Sequence, residues 1–379
     1  IDERLKDPSR IGLIVGIEPF INETNAYADY LVPDLVTYEG WGFSKAWAGV
    51  KQRMTSARWP IVEPRVEKTA DGEPISMEAF LIAVSKRLGL PGFGDHAIPD
   101  ADGNLHPLNT AADWYLRGAA NVAWDGGPVP EAAEDDMRLT GVERIAPVLE
   151  AHLKPEEWRR AAYVFCRGGR FGDMPARDAG PVTHWQRPAT IWNEKVGSNR
   201  HSLTGEYFTG CPTWHPPRFA DGSRVERHYP VAEWPLRLTS YKSHLQSPHS
   251  IAASRLRQIH PYNPVGINTR DGEAAGVQTG DRVRVVTPGG SVEGVALLRD
   301  GVKRGAVAIE HGYGHRELGA RTHTVDGTAL PGDEAIGAGV NLNDLGLVDP
   351  THSSGNAWVD WVTGASVRQA LPARIEKVG

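Results

Sequence analysis

Residues 236–379 show the pattern that most restricts how this chain can fold. Strict alternation of apolar and polar residues is typical of β-strands with one buried face. Short runs with strand character lie at 236–240, 282–287, 291–298 and 305–310. The turn Pro288-Gly289-Gly290 separates the middle two runs. The sequence therefore predicts one six-stranded β-barrel domain over 236–379.

The loops at the ends of these predicted strands are rich in hydrogen-bond donors. The first, 239–250, offers hydroxyls, one lysine and two histidines, and the second, 311–316, offers two histidines, two glycines and an arginine. Such loops suit a large polar cofactor that carries phosphates and heterocycle edges. On its residues alone, the first segment is also compatible with an ordinary polar loop.

Two histidines of the second loop, His311 and His315, lie four residues apart. On a helix this spacing is compatible with a zinc site. Gly312 and Gly314 disfavour a helix, so the residues favour a loop whose backbone approaches a ligand closely. Arg316 next to them can bind an anionic oxygen bidentately.

A third polar segment follows the barrel strands and contains Asn341, Asn343, Asp344 and Asp349. Guanine presents an N1–H and an exocyclic amine on one edge, and carboxylate or amide oxygens accept both. The alternative is local turn formation, which Asn and Asp favour in any loop.

The first 60 residues predict the end of an α/β layer. An apolar strand over 11–17, a short helix within 21–28 and a second strand stopped by Pro33 follow one another. The tryptophans Trp41, Trp47 and Trp59 stand in a loop-rich segment. The sequence begins neither with methionine nor with a signal peptide, so we expect the C-terminal part of a longer protein.

Residues 61–185 predict a helical and loop region packed on that layer. Ser76 is the expected N-cap of a helix, Thr110 and Asp113 have capping-box spacing, and Pro155 stands at a first-turn position. The stretch 166–173 is either a helix C-cap with a solvated loop or an arginine-lined substrate-channel loop.

Residues 186–235 predict an extended linker before the barrel. Prolines are frequent in it and periodic patterns are rare, and we expect Trp214, Tyr229 and Trp234 to hold it against the surface.

Charge and cysteine content exclude several function classes. The net charge of −6, without a Lys/Arg-rich run, argues against a nucleic-acid partner. The two cysteines, Cys166 and Cys211, form no CxxC motif, so this chain alone builds neither an iron–sulfur cluster nor a structural zinc site. Two buried free thiols are expected, with a disulfide as the alternative.

Several motifs together resemble the dimethyl sulfoxide reductase family of molybdopterin oxidoreductases. They are "ADYLVPD" in the α/β layer, the His249-Ser250 pair, "HGYGHRE" from His311, Asn341 with Asp349-Pro350, and Arg368-Gln369 near the end. The tryptophan segment is similar to the tetrathionate reductase branch. The resemblance implies a mixed α/β fold with a partial Rossmann-like layer (1–60), followed by a double-psi β-barrel that binds a molybdopterin dinucleotide.

The resemblance also implies which residues contact that cofactor, whereas the catalytic residues and the molybdenum ligand stay unknown. The implied cofactor-binding residues are Thr239, Ser240, Lys242, His244, His249, Ser250, His311, Gly312, Gly314, His315, Arg316, Asn341, Asn343, Asp349, Arg368 and Gln369.

The resemblance implies a molybdenum reductase with bis-molybdopterin guanine dinucleotide, and a [4Fe–4S] cluster in an N-terminal remainder of the catalytic subunit. The intact enzyme is then expected to reduce tetrathionate, a small anionic sulfur substrate, to thiosulfate in anaerobic respiration. Arsenate, selenate or polysulfide reduction, or a non-catalytic module that carries the barrel, are the alternatives. The expected partners, in the periplasm, are a membrane anchor subunit together with an iron–sulfur electron-transfer subunit. This part alone is expected to be inactive.

Overall fold

The computed structural model describes residues 2–46, 52–172, 191–202, 204–245, 254–353 and 355–379. The chain divides into two compact units, unit 1 over 1–184 and unit 2 over 185–379. The predicted boundaries at 60/61 and 235/236 lie inside these units and stay predictions.

Unit 1 mixes short strands with helices. Its helices are α1 (Asp2–Leu5), α2 (Met77–Arg87), α3 (Ala111–Trp124), α4 (Glu134–Thr140), α5 (Ala146–His152) and α6 (Trp158–Cys166). Its strands are β1 (Val15–Glu18), β2 (Tyr30–Pro33), β3 (Gly42–Lys45), β4 (Met54–Arg58), β5 (Gly94–Pro99), β6 (Leu105–Leu108) and β7 (Gly169–Phe171).

The N-terminal strand–helix–strand unit is present as predicted. β1 and β2 pair in parallel, with Val15 opposite Tyr30, and the 3₁₀ turn Asn25–Tyr27 connects them. The first strand is shorter than the apolar run that predicts it. Parallel pairing across a helical turn is what the α/β prediction requires.

Local capping rules place the helices of unit 1 well. Ser76 Oγ accepts the backbone N–H of Ala79 at 3.1 Å, and Thr110 and Asp113 form the predicted capping box at the start of α3. The prediction for α6 is wrong at its start, because Pro155 lies in the turn before the helix. The core of the unit lies where α3, α5 and α6 meet.

A three-stranded antiparallel sheet, β3-β4-β7, corrects two predictions in unit 1. The tryptophan segment, expected to be loops, contains β3 and β4. Over 169–171 the stretch after α6 is a strand rather than a solvated loop, because β7 pairs with β4. A Cβ on Gly169 would lie 2.3 Å from Thr55 O, and Arg170 donates to backbone carbonyls of 122, 123 and 127. These residues support the fold.

Unit 2 is built around a closed barrel. Its helices are α7 (Glu194–Gly197), α8 (Val225–His228), α9 (Ser254–Ile259) and α10 (Thr269–Ala274). Its strands are β8 (Leu236–Tyr241), β9 (Val265–Ile267), β10 (Arg282–Thr287), β11 (Gly290–Leu298), β12 (Ala306–Glu310), β13 (His323–Val325), β14 (Thr328–Leu330) and β15 (Leu371–Lys377).

The six-stranded barrel confirms the prediction for 236–379. Its strands close in the order β10-β11-β9-β12-β8-β15. Four of them, β8, β10, β11 and β12, match the predicted runs to within a residue. The interior is filled by alternate strand residues such as Leu238, Val283, Val285, Val307 and Ile309. The barrel is therefore a packed core, and ligands must bind at its ends or flanks.

Two of the three aromatic residues expected to hold the predicted linker 186–235 do so, because Tyr229 packs on Phe219 and Trp234, and Arg374 covers the Trp234 ring. Trp214 is 81% exposed and does not hold the segment. Phe219 is fully buried and contacts Tyr229 and Trp358, and the Trp358 indole donates to Arg218 O at 2.7 Å. Phe219 therefore takes the place expected for Trp214.

Both cysteines are free, Cys166 half-buried in unit 1 and Cys211 exposed in unit 2, so the expected burial is wrong for Cys211. In the part of the chain that the structure describes, no helix combines the length and the apolar character needed to cross a membrane.

Candidate functional site at the barrel mouth

One end of the barrel gathers most of the residues predicted to bind a cofactor. β8 and β12 run parallel, with Tyr241 opposite Glu310, so both strands finish at this end. β9 and β15 run antiparallel to them and begin there. The β10–β11 turn lies at the same end, because β11 runs parallel to β9. We call this end, with its loops 242–245, 260–264, 288–289, 311–316 and 366–370, the barrel mouth.

Thr239, Ser240 and Gln369 form one hydrogen-bonded group at the mouth. Gln369 Oε1 accepts Thr239 Oγ1–H at 2.5 Å and the Ser240 backbone N–H at 3.0 Å, while Gln369 Nε2 donates to Ser240 O and Oγ. Ala370, which follows, has a φ of +59°. A residue with a Cβ in that conformation is strained, and here the bonds of Gln369 hold the turn in place.

His311 is the member of the site that most clearly lacks a partner. Its Nε2 is buried and has no hydrogen-bond partner among the described residues. Burial, together with the nearby positive charges of Lys242 and Arg368, lowers the pKa of His311. A neutral imidazole can donate or accept, so this ring, with two exposed cations beside it, suits a ligand that has both anionic oxygens and heterocycle edges.

Residues 338–346 pack across the mouth, and we call them the mouth segment. Leu345 O accepts the Thr287 hydroxyl at 3.0 Å, and Gly314 N–H donates to Ala338 O at 3.1 Å. Gly314 has a φ of +67°, and a Cβ there would lie 2.4 Å from Asn341 N. The close backbone approach predicted for Gly314 is thus made to the chain itself. Gly312 also has a positive φ.

The predicted residues of the mouth segment and Arg316 contact one another. Asn341 Oδ1 accepts the N–H of Asn343 at 3.0 Å and caps the 3₁₀ turn Leu342–Leu345, which leaves its amide N–H groups for a ligand. Arg316 Nη2 lies 2.9 and 2.8 Å from the two carboxylate oxygens of Asp344. Among the described residues, Asp344 is therefore an anionic partner of Arg316.

Asp349 is buried, and both of its oxygens are engaged. Oδ2 accepts the N–H of Ala220 at 2.7 Å, and Oδ1 accepts the N–H and the hydroxyl of Thr351 at 2.8 and 2.7 Å. These bonds fasten the turn after the mouth segment to the segment before β8. The carboxylate of Asp349 is therefore engaged in stabilising the fold.

The remaining predicted residues are less informative. His244 is exposed and His315 half-buried in their mouth loops. His249 and Ser250 lie outside the described residues. His311 and Asn341, which lie 30 residues apart in the sequence, share the mouth.

Sequence reasoning missed the polar residues beneath the mouth. Glu310 is 1% exposed, and its Oε2 lies 2.9 Å from His260 Nε2 while its Oε1 has no partner among the described residues. Tyr313, also buried, donates its hydroxyl to His260 O at 3.0 Å. Asn263 bonds to backbone groups beside His311 and Asn341. The Asn263-Pro264 pair before a strand is a turn motif that could have marked this position.

The arrangement fits a molybdopterin dinucleotide. A buried ring nitrogen that has no partner in the described part of the chain, two exposed cations, and the amide N–H groups of Asn341 provide partners for phosphates and pterin edges. None of the described residues forms a group of three or more His, Cys, Asp or Glu side chains that could hold a metal ion.

Comparison with known proteins agrees with this site. The family model described as "Molydopterin dinucleotide binding domain" matches residues 236–357. A tetrathionate reductase subunit of Salmonella typhimurium is 51% identical over the whole chain, which covers 37% of that protein.

Two more distant relatives also align along the chain. A tetrathionate reductase subunit of Archaeoglobus fulgidus is 29% identical, with 100% of this chain and 40% of that protein covered. A selenate reductase subunit of Mesobacillus selenatarsenatis is 28% identical, with 91% and 35% covered. The chain thus spans about two fifths of the length of the curated relatives it matches. Residues 236–357 form a molybdopterin dinucleotide-binding domain, and the chain is related to the molybdoenzymes of the dimethyl sulfoxide reductase family.

Proposed function

We propose that this chain holds one side of a bis-molybdopterin guanine dinucleotide in a molybdenum-dependent reductase, and that the intact enzyme reduces tetrathionate to thiosulfate. His311 at the barrel mouth carries the cofactor assignment, because its buried Nε2 has no partner among the described residues and Lys242 and Arg368 lie beside it. The 51% identity to a tetrathionate reductase supports the choice of substrate.

The residues of the mouth would bind different parts of the cofactor, according to the chemistry of their side chains. Lys242 and Arg368 would neutralise phosphate oxygens, and neutral His311 with the Asn341 amide would meet heterocycle edges. Gln369 would keep Thr239 and Ser240 in place. Bound, the cofactor supplies two-electron redox chemistry, and tetrathionate with two electrons gives two thiosulfates.

The wider setting follows from the same proposal. Electrons would arrive from an iron–sulfur partner subunit through a [4Fe–4S] cluster in the N-terminal remainder of the catalytic subunit. In anaerobic respiration, the enzyme would be tied to the periplasmic face of the membrane by an anchor subunit. Selenate and arsenate reductase relatives, each at 28% identity, make selenate and arsenate the leading alternative substrates, ahead of polysulfide.

The test is a purified intact enzyme assayed for molybdenum, for guanine nucleotide released by acid, and for reduction of each oxyanion by a reduced dye. We expect tetrathionate to be the preferred substrate. Preference for selenate would move the assignment to the alternative, and a protein without molybdenum and guanine nucleotide would contradict the cofactor assignment.

Two lysines provide a matched pair for the site. Lys242 lies at the mouth, and Lys303 is an exposed lysine in the β11–β12 connection at the opposite end. Lys242→Ala should lower nucleotide content and tetrathionate turnover together, because a phosphate loses its counter-charge, whereas Lys303→Ala should change neither. His311→Ala should weaken binding by about 1–3 kcal/mol. If the two lysine variants had the same nucleotide content and the same tetrathionate turnover, the phosphates would have to bind elsewhere.

A further inference from the structure

Asn263 is a buried side chain at the start of β9, in the loop 260–264 of the barrel mouth. It is 1% exposed, and the hydrogen bonds of its side chain go to no candidate cofactor residue. Its partners are instead backbone groups of the residues that directly precede the candidates His311 and Asn341.

All polar atoms of the Asn263 amide are used. Nδ2 donates to Glu310 O at 2.5 Å and to Val340 O at 3.0 Å, and Oδ1 accepts the N–H of Val340 at 2.7 Å. Glu310 directly precedes His311, and Val340 directly precedes Asn341. One amide therefore fixes the distance between the end of β12 and the mouth segment.

Glycines make this connection close. A Cβ on Gly339, whose φ is +93°, would lie 2.4 Å from Asn263 Oδ1 and 3.0 Å from Tyr313 Cβ. On the other side, a Cβ on Gly314 would lie 2.4 Å from Asn341 N. The loop after β12 and the mouth segment are therefore in close contact at Gly339 and at Gly314, and a shift of one moves the other.

We infer that Asn263 is a positioning residue for the cofactor, which holds His311 and Asn341 at the spacing that the bound dinucleotide requires. This inference rests on the proposed function. Asparagine suits the task because it presents two donors and an acceptor within a short side chain. Aspartate in its place would keep the acceptor for Val340 and set a carboxylate oxygen against two carbonyl oxygens.

The other end of β9 supplies the control. Asn268 is also buried, donates Nδ2 to Val302 O at 2.7 Å and accepts the N–H of Arg270 at 3.1 Å. On change to aspartate, Asn263 loses two donated bonds and Asn268 loses one, but only Asn263 touches the mouth. If Asn263 contributed only to general stability, both variants would release the nucleotide at the same rate.

The experiment compares Asn263→Asp and Asn268→Asp in the holoenzyme, at temperatures where both are folded by circular dichroism. We expect guanine nucleotide to leave the Asn263 variant about tenfold faster than the wild type, and the Asn268 variant to release it at the wild-type rate. Equal release from the two variants, or wild-type release from Asn263→Asp, would overturn the inference. A wild type without any bound nucleotide would instead overturn the proposed function beneath it.

Hydrogen exchange adds a measurement that needs no variant. The amide of Val340, bonded to Asn263 Oδ1, should exchange slowly in the wild-type protein although it lies outside the helices and strands. Exchange as fast as at an exposed loop amide would show that the connection does not persist in solution, and would end the inference even if Asn263→Asp failed to fold.

Discussion

At the level of single residues, unit 1 depends on a buried ion pair. Arg117 on α3 and Glu157 before α6 have side chains 4% and 9% exposed, and they meet through two bonds of 3.0 and 2.7 Å. Glu157 also accepts the N–H of Lys154. Buried charges require such pairing, because removal of one partner leaves the other desolvated without compensation.

Glu157→Gln should therefore lower the free energy of unfolding by about 3–5 kcal/mol. The matched control is Arg138→Gln, which removes an exposed pair with Asp135 and should cost at most about 1 kcal/mol. Denaturant unfolding measures both. A cost for Glu157→Gln no larger than that of the control would show that the pair contributes little.

The same pair has a pH signature. Burial alone would raise the pKa of Glu157, but the Arg117 bonds and the Lys154 N–H outweigh it and lower that pKa. A lowered pKa in the folded state means that the stabilisation is present above the ordinary glutamate range and is lost as the pH falls. The difference in free energy of unfolding between the wild type and Glu157→Gln should therefore become smaller as the pH falls. Denaturant unfolding at several pH values measures it.

At the level of elements, glycine packing determines how the loops of the mouth fit together. Gly289 and Gly290 in the β10–β11 turn leave no room for a Cβ against Gly346 O and Asp344 O, as Gly314 leaves none against Asn341. The β10–β11 turn and the loop after β12 therefore pack backbone against backbone on the mouth segment, which leaves these elements little room to shift.

Two glycines have the same backbone conformation but different surroundings. Comparing them separates the cost of poor packing from the cost of backbone strain. Gly276 has a φ of +66° with open space around it, and Gly314 has a φ of +67° against Asn341. Gly276→Ala should cost about 1–2 kcal/mol from its left-handed backbone. Gly314→Ala should cost about 1–3 kcal/mol more and reduce nucleotide content, because the methyl group displaces the mouth segment. Equal free energies of unfolding would refute the packing argument.

Elements with local sequence rules were predictable, and those fixed by distant partners were not. Alternation placed β10 and β11, and capping rules placed α2 and α3, because their causes lie within a few residues. β9 has three residues, all buried, and shows no alternation. The bonds of Asn263 reach 47 and 77 residues along the chain, so no short pattern reveals them.

At the level of the whole molecule, each unit has its own hydrophobic core, and the candidate cofactor residues that the structure describes all belong to unit 2. The net charge of −6 contrasts with the cations at the mouth. A local positive field on an acidic protein attracts a polyanionic cofactor to one place, which is the electrostatic arrangement that the proposed function needs.

The molybdenum content of the isolated chain is a property of the whole molecule that can be measured. The 379 residues, expressed by themselves, should hold no stoichiometric molybdenum, because the described residues contain no suitable cluster of ligands. Burial raises the pKa of the Cys166 thiol, which keeps it protonated and a poor ligand, and Cys211 belongs to the other unit. Elemental analysis of the purified chain, beside the intact enzyme as positive control, measures this. Stoichiometric molybdenum in the chain alone would contradict the prediction, and its loss in Cys211→Ala but not Cys166→Ala would then identify the ligand.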